Sequence, residues 1–253
     1  MRVMWFLSQT LSSNAVKAYI TLVIICLSSF NNFAFSQPIL VFNTTGQPPL
    51  NTAENNGFMD EVTREALKRI GYKLVINRLP AERGLRNSNS GEIDGEMSRI
   101  KGIDKTYKNL VMVPEKIMDW EFMAFSKNKS TLTNGWQSLD KKEVAFITGW
   151  KILENNVPKT SHITKTRDAE QLFRLLKKDR SEYILYERWA GNLEISKSSI
   201  NNAMPLTPPL ATKEMFIYLH KKHLSLIPVL SQALVDMKKD GTYQALVNKH
   251  LKS

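Results

Sequence analysis

From Pro38 onward, short apolar segments of strand length alternate with helical ones, and this alternation restricts the chain to an α/β architecture with parallel strands. "ILVFNT" reads as a strand, followed by a polar loop carrying Pro48 and Pro49. "FMDEVTREALKRIG" reads as a helix. Met59, Val62, Ala66 and Ile70 recur at helical spacing, Asp60 and Glu61 favour its first turn, Lys68 and Arg69 its last, and Gly71 stops it. "YKLVINRL" is a strand, "PAERGLRN" a helix begun by Pro80, and "EIDGEMSRI" a strand.

The rhythm restarts after "SKNKSTLTNG". "KEVAFITG" and "SHITKT" read as strands around a short helix, "WKILENN". In "DAEQLFRLLKKD", Asp168 is the expected cap and Ala169, Leu172, Leu175 and Leu176 the buried stripe. "EYILYE" is a strand that delivers Glu187 and Arg188 at its carboxyl end. Past a proline-rich stretch, "MFIYLHKKH" reads as a strand. "LSLIPVLSQALVDMKKDG" follows as a helix capped by Ser225, and "TYQALVNKHL" as a last helix. Two small α/β lobes fit this order better than one large sheet.

The first 36 residues stand apart from this pattern. They carry Arg2 and Lys17 but no acid, then the apolar run "AYITLVIICL", then small and polar residues ending in "AFS". These are the three regions of a secretory signal, with cleavage expected near Ser36/Gln37. The apolar run is about half the ~20 residues that a membrane span requires. The chain's one cysteine, Cys26, lies within that run. A processed chain would therefore have no thiol for a disulfide, a nucleophile or a zinc ligand. It would keep most of a net charge of +11, spread among acids with no long basic run, so no nucleic-acid partner is expected.

Residues 78 to 100, "RLPAERGLRNSNSGEIDGEMSRI", crowd charge around elements that should build a core. Glu96, close to the end of a covered strand, is costly to bury alone. It either lines a cleft or pairs with an arginine such as Arg83 or Arg99. Arg83 and Arg86 share a helix face; Arg83 is placed to reach a ligand and Arg86 to face solvent, while Arg78 ends a strand and suits either task. His220 and His223 in "HKKH" straddle a strand end and read as a solvated pair rather than metal ligands. No G-x-S-x-G, Walker loop or H-E-x-x-H occurs, and neither an enzyme nor a cofactor is expected.

The order of these pieces, with the "QPPL" loop, "GFMDEV", "GEIDGE", "WEFMAFSKN", "SLDKKEVAFITGW", "SEYILYE" and the ending "ALVDMKKDGTYQALVNKH", resembles the family 3 extracellular solute-binding proteins. These are periplasmic, amino-acid-binding-type receptors of ABC importers. The resemblance implies a type II periplasmic-binding-protein-like fold, two lobes joined by crossing strands near Trp120–Lys127 and Met215–Lys222. Lobe 1 would comprise residues 37–124 and 217–253, and lobe 2 residues 125–216. A small polar, carboxylate-bearing ligand would be held between them in a monomer. An inner-membrane ABC permease or a sensor would receive the closed form.

The resemblance also assigns roles. The family's carboxylate-binding arginine follows a threonine-proline stretch, where this chain has Thr106 or a neighbour, and Arg99 is the nearest substitute. A guanidinium suits the task because its fork matches a carboxylate. Glu187 stands where the family's lobe 2 acid meets the ligand's amino group. Trp150 and Trp120 are the candidate aromatic walls, while Trp136 and Trp189 read as packing. Other readings of the same fold are a periplasmic sensory or adaptor protein and a dehydratase acting on a small carboxylate with Glu187 or Glu96 as general acid.

Overall fold

The computed structural model describes residues 37–129 and 134–251. The expected export signal and Cys26 lie outside the described residues. Among those described, no helix is long and apolar enough to cross a membrane.

Lobe 1 opens with β1 (Ile39–Asn43), α1 (Phe58–Arg69), β2 (Lys73–Asn77), α2 (Ala81–Ser90) and β3 (Gly95–Ile100). β1 pairs in parallel with both β2 and β3, as β-α-β units require. Phe58, Met59, Val62, Ala66 and Leu67 of α1 are fully buried, each large side chain contributing about 1.5–3 kcal/mol. The first-turn acid Asp60 is fully buried as well. It accepts from the backbone N–H of Gly57 at 2.9 Å and of Thr52 at 2.9 Å, and from Asn51 Nδ2 at 2.6 Å. This carboxylate ties the proline loop to the helix start, more than the dipole role its position suggests.

β4 (Leu110–Ser126) then leaves lobe 1 and runs through lobe 2, and β9 (Ala211–His220) returns antiparallel to it. Lobe 2 contains β5 (Glu143–Ile147), α3 (Lys151–Asn156), β6 (His162–Thr166), α4 (Ala169–Lys177), β7 (Tyr183–Glu187), α5 (Arg188–Ser198) and the short β8 (Met204–Pro205). β5 is parallel to β6 and to β7. α6 (Leu226–Lys239) and α7 (Thr242–His250) fold back onto lobe 1, where Leu230, Leu234 and Met237 join the core of Leu40, Phe42 and Met59. The strands run in the order β2-β1-β3-β9-β4-β7-β5-β6, with β8 beside β4. Separate apolar cores lie in the two lobes.

Most expected elements occur where the sequence put them, with instructive departures. β9 starts four residues before the expected Met215, because its polar first residues pair with β4 instead of entering a core. Asp168 does cap α4, accepting from Gln171 N–H at 2.8 Å. In that helix Phe173, rather than Leu175, is fully buried beside Leu172 and Leu176. The helix α5 was not foreseen, since its sequence carries no amphipathic stripe and buries only Ala190 and Gly191. His220 and His223 are not a solvated pair either: His223 Nε2 lies 2.7 Å from Asp94 Oδ1, tying the start of α6 to the entry of β3.

Candidate ligand-binding cleft

Because β1, β2 and β3 end on one side of lobe 1 and β5, β6 and β7 on the facing side of lobe 2, the carboxyl ends of both sets of parallel strands border the crossing segment of β4 and β9. Polar groups left unpaired at strand ends gather there, the usual ligand position in open α/β sheets. From lobe 1 this edge receives Asn43, Thr45, Arg78 and Arg99; from lobe 2, Trp150 and Glu187; from β4, Trp120.

On the lobe 1 side, Arg99 and Glu96 form a partly buried ion pair. Arg99 Nη2 lies 2.6 Å and Nε 2.9 Å from the same oxygen, Glu96 Oε2. Glu96 is fully buried, and Ser88 Oγ donates to its other oxygen at 2.9 Å while Asn43 Nδ2 donates at 3.3 Å. Burial pushes the Glu96 carboxyl up from its ordinary range, against the pull of Arg99. Of the two alternatives left open by the sequence, the arginine pair is the observed one, and the partner is Arg99 rather than Arg83. The guanidinium is thus gripped along one edge. Among the described residues its Nη1 has only a 3.5 Å contact with Thr45 Oγ1.

The cradle of Glu96 requires close approach of α2. A Cβ at Gly84 would stand 2.1 Å from Asn43 Nδ2 and 3.0 Å from Glu96 Oε1. Asn43 is itself fixed, its Oδ1 accepting from Leu79 N–H at 2.8 Å. Gly84→Ala is therefore expected to destabilise the chain by about 1–3 kcal/mol in urea unfolding despite alanine's better helix propensity. A variant as stable as the parent would show that α2 does not seat on this pair.

The other arginines divide. Arg78 donates to the carbonyl of Thr52 and to Asn55 Oδ1 at 2.7 Å, with Asp60 3.9 Å away, so it clasps the proline loop. Arg86 is exposed and pairs with Glu82 at 3.0 Å. Arg83, in the first turn of α2, is exposed and enters no ion pair among the described residues.

On the lobe 2 side, Glu187 is the N-cap of α5. One carboxylate oxygen accepts from Trp189 N–H at 3.1 Å and the other from Ala190 N–H at 2.9 Å. The side chain is only 2% exposed. Burial pushes its carboxyl up to about 7, the two backbone N–H groups pulling it down and the nearby charge of Glu121 adding to the rise. Arg188 turns to Glu121 of β4, 2.5 Å from Nη1, and lies over the Trp189 ring.

Trp150 stacks on Tyr186, with ring centroids 5.0 Å apart and planes at 19°, and meets Phe122 edge-on at 6.0 Å. Burial raises the Tyr186 hydroxyl well above the ordinary phenol range. Trp120 packs against the cores of both lobes, and its indole N–H is buried without a partner among the described residues. Trp136 and Trp189 pack as expected, Trp189 against the lobe 1 core. Asn43, Ser88 and Tyr186 were not singled out in the sequence. A polar residue closing the apolar "ILVFN" was the available signal for Asn43, whereas Ser88 is recognisable only once α2 lies on β3.

Two parallel half-sheets with strand ends facing across a pair of crossing strands define a type II periplasmic-binding fold. The family model for "Bacterial extracellular solute-binding proteins, family 3" matches residues 39–253, and the chain belongs to that family. An uncharacterized protein of Shewanella oneidensis is 27% identical over 188 residues, covering 71% of this chain and 70% of that one. Among solved structures, the P235GK mutant of ArgBP from T. maritima superposes with a TM-score of 0.68 at 17% identity, covering 86% of this chain and 96% of that chain. A histidine kinase sensor domain with similarity to periplasmic binding proteins reaches 0.67 at 17% identity, covering 85% and 96%. At such identities these likenesses show the fold.

Proposed function

We propose that this chain is an exported, periplasmic solute-binding protein that closes its two lobes on a small carboxylate-bearing ligand and presents the closed form to an inner-membrane ABC importer. The observation that carries the reading is the gathering of both sets of strand ends at the β4–β9 crossing, with a guanidinium held along one edge on lobe 1 and a tryptophan stacked at the strand ends of lobe 2. Arg99 would meet the ligand carboxylate through Nη1, with Arg83 at the rim. Trp150 and Trp120 would supply the walls, and Glu187 would fix the lobe 2 surface. Residues 1–36 would direct export. Lobe 1 would comprise residues 37–124 and 217–253 and lobe 2 residues 125–216. Closure stabilises only what the ligand contacts differently in the two states.

A thermal-shift screen of the protein expressed from the full-length sequence against amino acids, organic acids, amines and short peptides tests this. A ligand at a hundredfold excess over its dissociation constant is expected to stabilise the fold by about 2.7 kcal/mol. A cooperatively folding protein that ignores the whole screen would remove the reading.

The likeness to a kinase sensor domain supports a second reading, in which the closed state signals to a membrane receptor instead of unloading into a permease. Both readings share the binding step. Co-purification from membranes with a permease or with a sensor separates them.

A further inference from the structure

We propose that the cleft selects small carboxylates that carry no ammonium group beside the carboxylate, plain organic acids in preference to α-amino acids. This rests on the solute-binding reading above and specifies its ligand class.

An α-amino acid presents an anion and a cation on adjacent atoms, so its site needs a donor fork and, a few ångströms away, a fixed acceptor of negative charge. Burying the ammonium without such a partner is costly. The acids that the fold brings to the cleft are already engaged. Glu96 is fully buried against Arg99, Ser88 and Asn43. Glu187 spends one oxygen on each of two backbone N–H groups of its own helix and is closed to solvent. Glu121 is held by Arg188, and Asp168 caps α4. Glu54 and Asp104, on the loops that follow β1 and β3, are exposed and have no partner among the described residues to hold them in one place.

Three side-chain groups at these strand ends that lack a close partner among the described residues are donors. Among the described residues Arg99 Nη1 has only its long contact to Thr45, Arg83 enters no ion pair, and the buried Trp120 indole N–H, which can only donate, has no partner. Beside them lies the Trp150–Tyr186 stack, an apolar plane without charge. Donors with an aromatic surface suit an oxygen-rich or aromatic acid. They offer an ammonium no fixed counter-charge.

The test is calorimetric titration of the protein expressed from its full-length sequence with matched pairs that differ only at the α-amino group. Each common amino acid is set against its deamino acid, for example L-glutamate against glutarate and L-phenylalanine against 3-phenylpropionate. The expected result is that, in every pair giving heat, the deamino acid binds at least tenfold more tightly. Amino acids binding as tightly as or more tightly than their deamino partners would overturn the ligand class and leave the solute-binding reading standing. Absence of binding to any member of any pair, by a protein that unfolds cooperatively, would overturn the ligand class, and the solute-binding reading with it only if the wider thermal-shift screen is silent as well.

Discussion

Arg99→Ala is expected to lose about 3–5 kcal/mol of folding stability at neutral pH, the usual cost of removing one partner from a buried ion pair. The size follows from what is left behind. Glu96 has no solvent to turn to, and its two remaining donors, Ser88 and Asn43, are neutral. Its carboxyl already sits above the ordinary range because of burial, and without the guanidinium it rises further, so the variant should take up a proton there. The folded-state value then lies above the unfolded one. The Arg99→Ala loss should accordingly be smallest in acid, where Glu96 is neutral in both states, and grow as pH rises. The double variant Arg99→Ala/Glu96→Gln removes the charge as well as its partner and should recover at least half of the loss. Urea unfolding of parent, single and double variants at pH 5 and pH 7 decides this. A single-variant loss below about 1 kcal/mol, or a double variant no better than the single, would show that the pair is a surface contact in disguise.

The second large effect concerns Glu187. Its carboxyl titrates near 7 in the folded chain against 4.5 as the ordinary value. Between these values the unfolded chain releases this proton while the folded chain keeps it. Folding therefore loses stability as pH climbs from about 4.5 to 7, and the loss is complete above the folded value. Two and a half units correspond to about 3 kcal/mol. Glu187→Gln keeps an oxygen for capping but cannot ionise, so the stability difference between variant and parent should move by about 2.5 kcal/mol in favour of glutamine between pH 5 and pH 8. Other titrating groups cancel in that difference. Parallel stability curves for the two proteins across this range would mean that Glu187 is not held neutral by its burial.

The parts legible in the sequence were those decided locally. Periodicity and caps gave α1, α2, α4 and their neighbouring strands, because a helix face or a strand run is written over five to fifteen consecutive residues. The lobe 2 helix after Glu187 is invisible for the converse reason: it is held by its cap and by two small buried residues, Gly191 pressed on Phe125, not by an apolar stripe. The charges around residues 78 to 100 were visible as an anomaly, but their pairing was not. Arg78 finds a loop some twenty-five residues earlier, whereas Arg99 finds a carboxylate three residues back only because β3 bulges between Glu96 and Arg99. Glu187 shows the limit most clearly. An acid ending a strand suggests a ligand contact, yet the turn that follows places two backbone N–H groups over it first.

The ladder between β4 and β9 runs without interruption from Met118 opposite Met215 to Phe122 opposite Ala211, and its irregularities fall below this stretch, inside lobe 1. A ribbon paired in continuous register over these rungs has no bulged residue to act as a pivot. The proposed closure would be distributed as elastic torsion along these five consecutive rungs, with Trp120 lodged between both cores at their centre. The lobes would then behave like plates on a torsion spring, free to rotate but not to slide or change register. In the proposed function each closure would return the same strand ends to the same opposing positions, so the recognition surface would be reproduced by the stiffness of the backbone and not by the ligand.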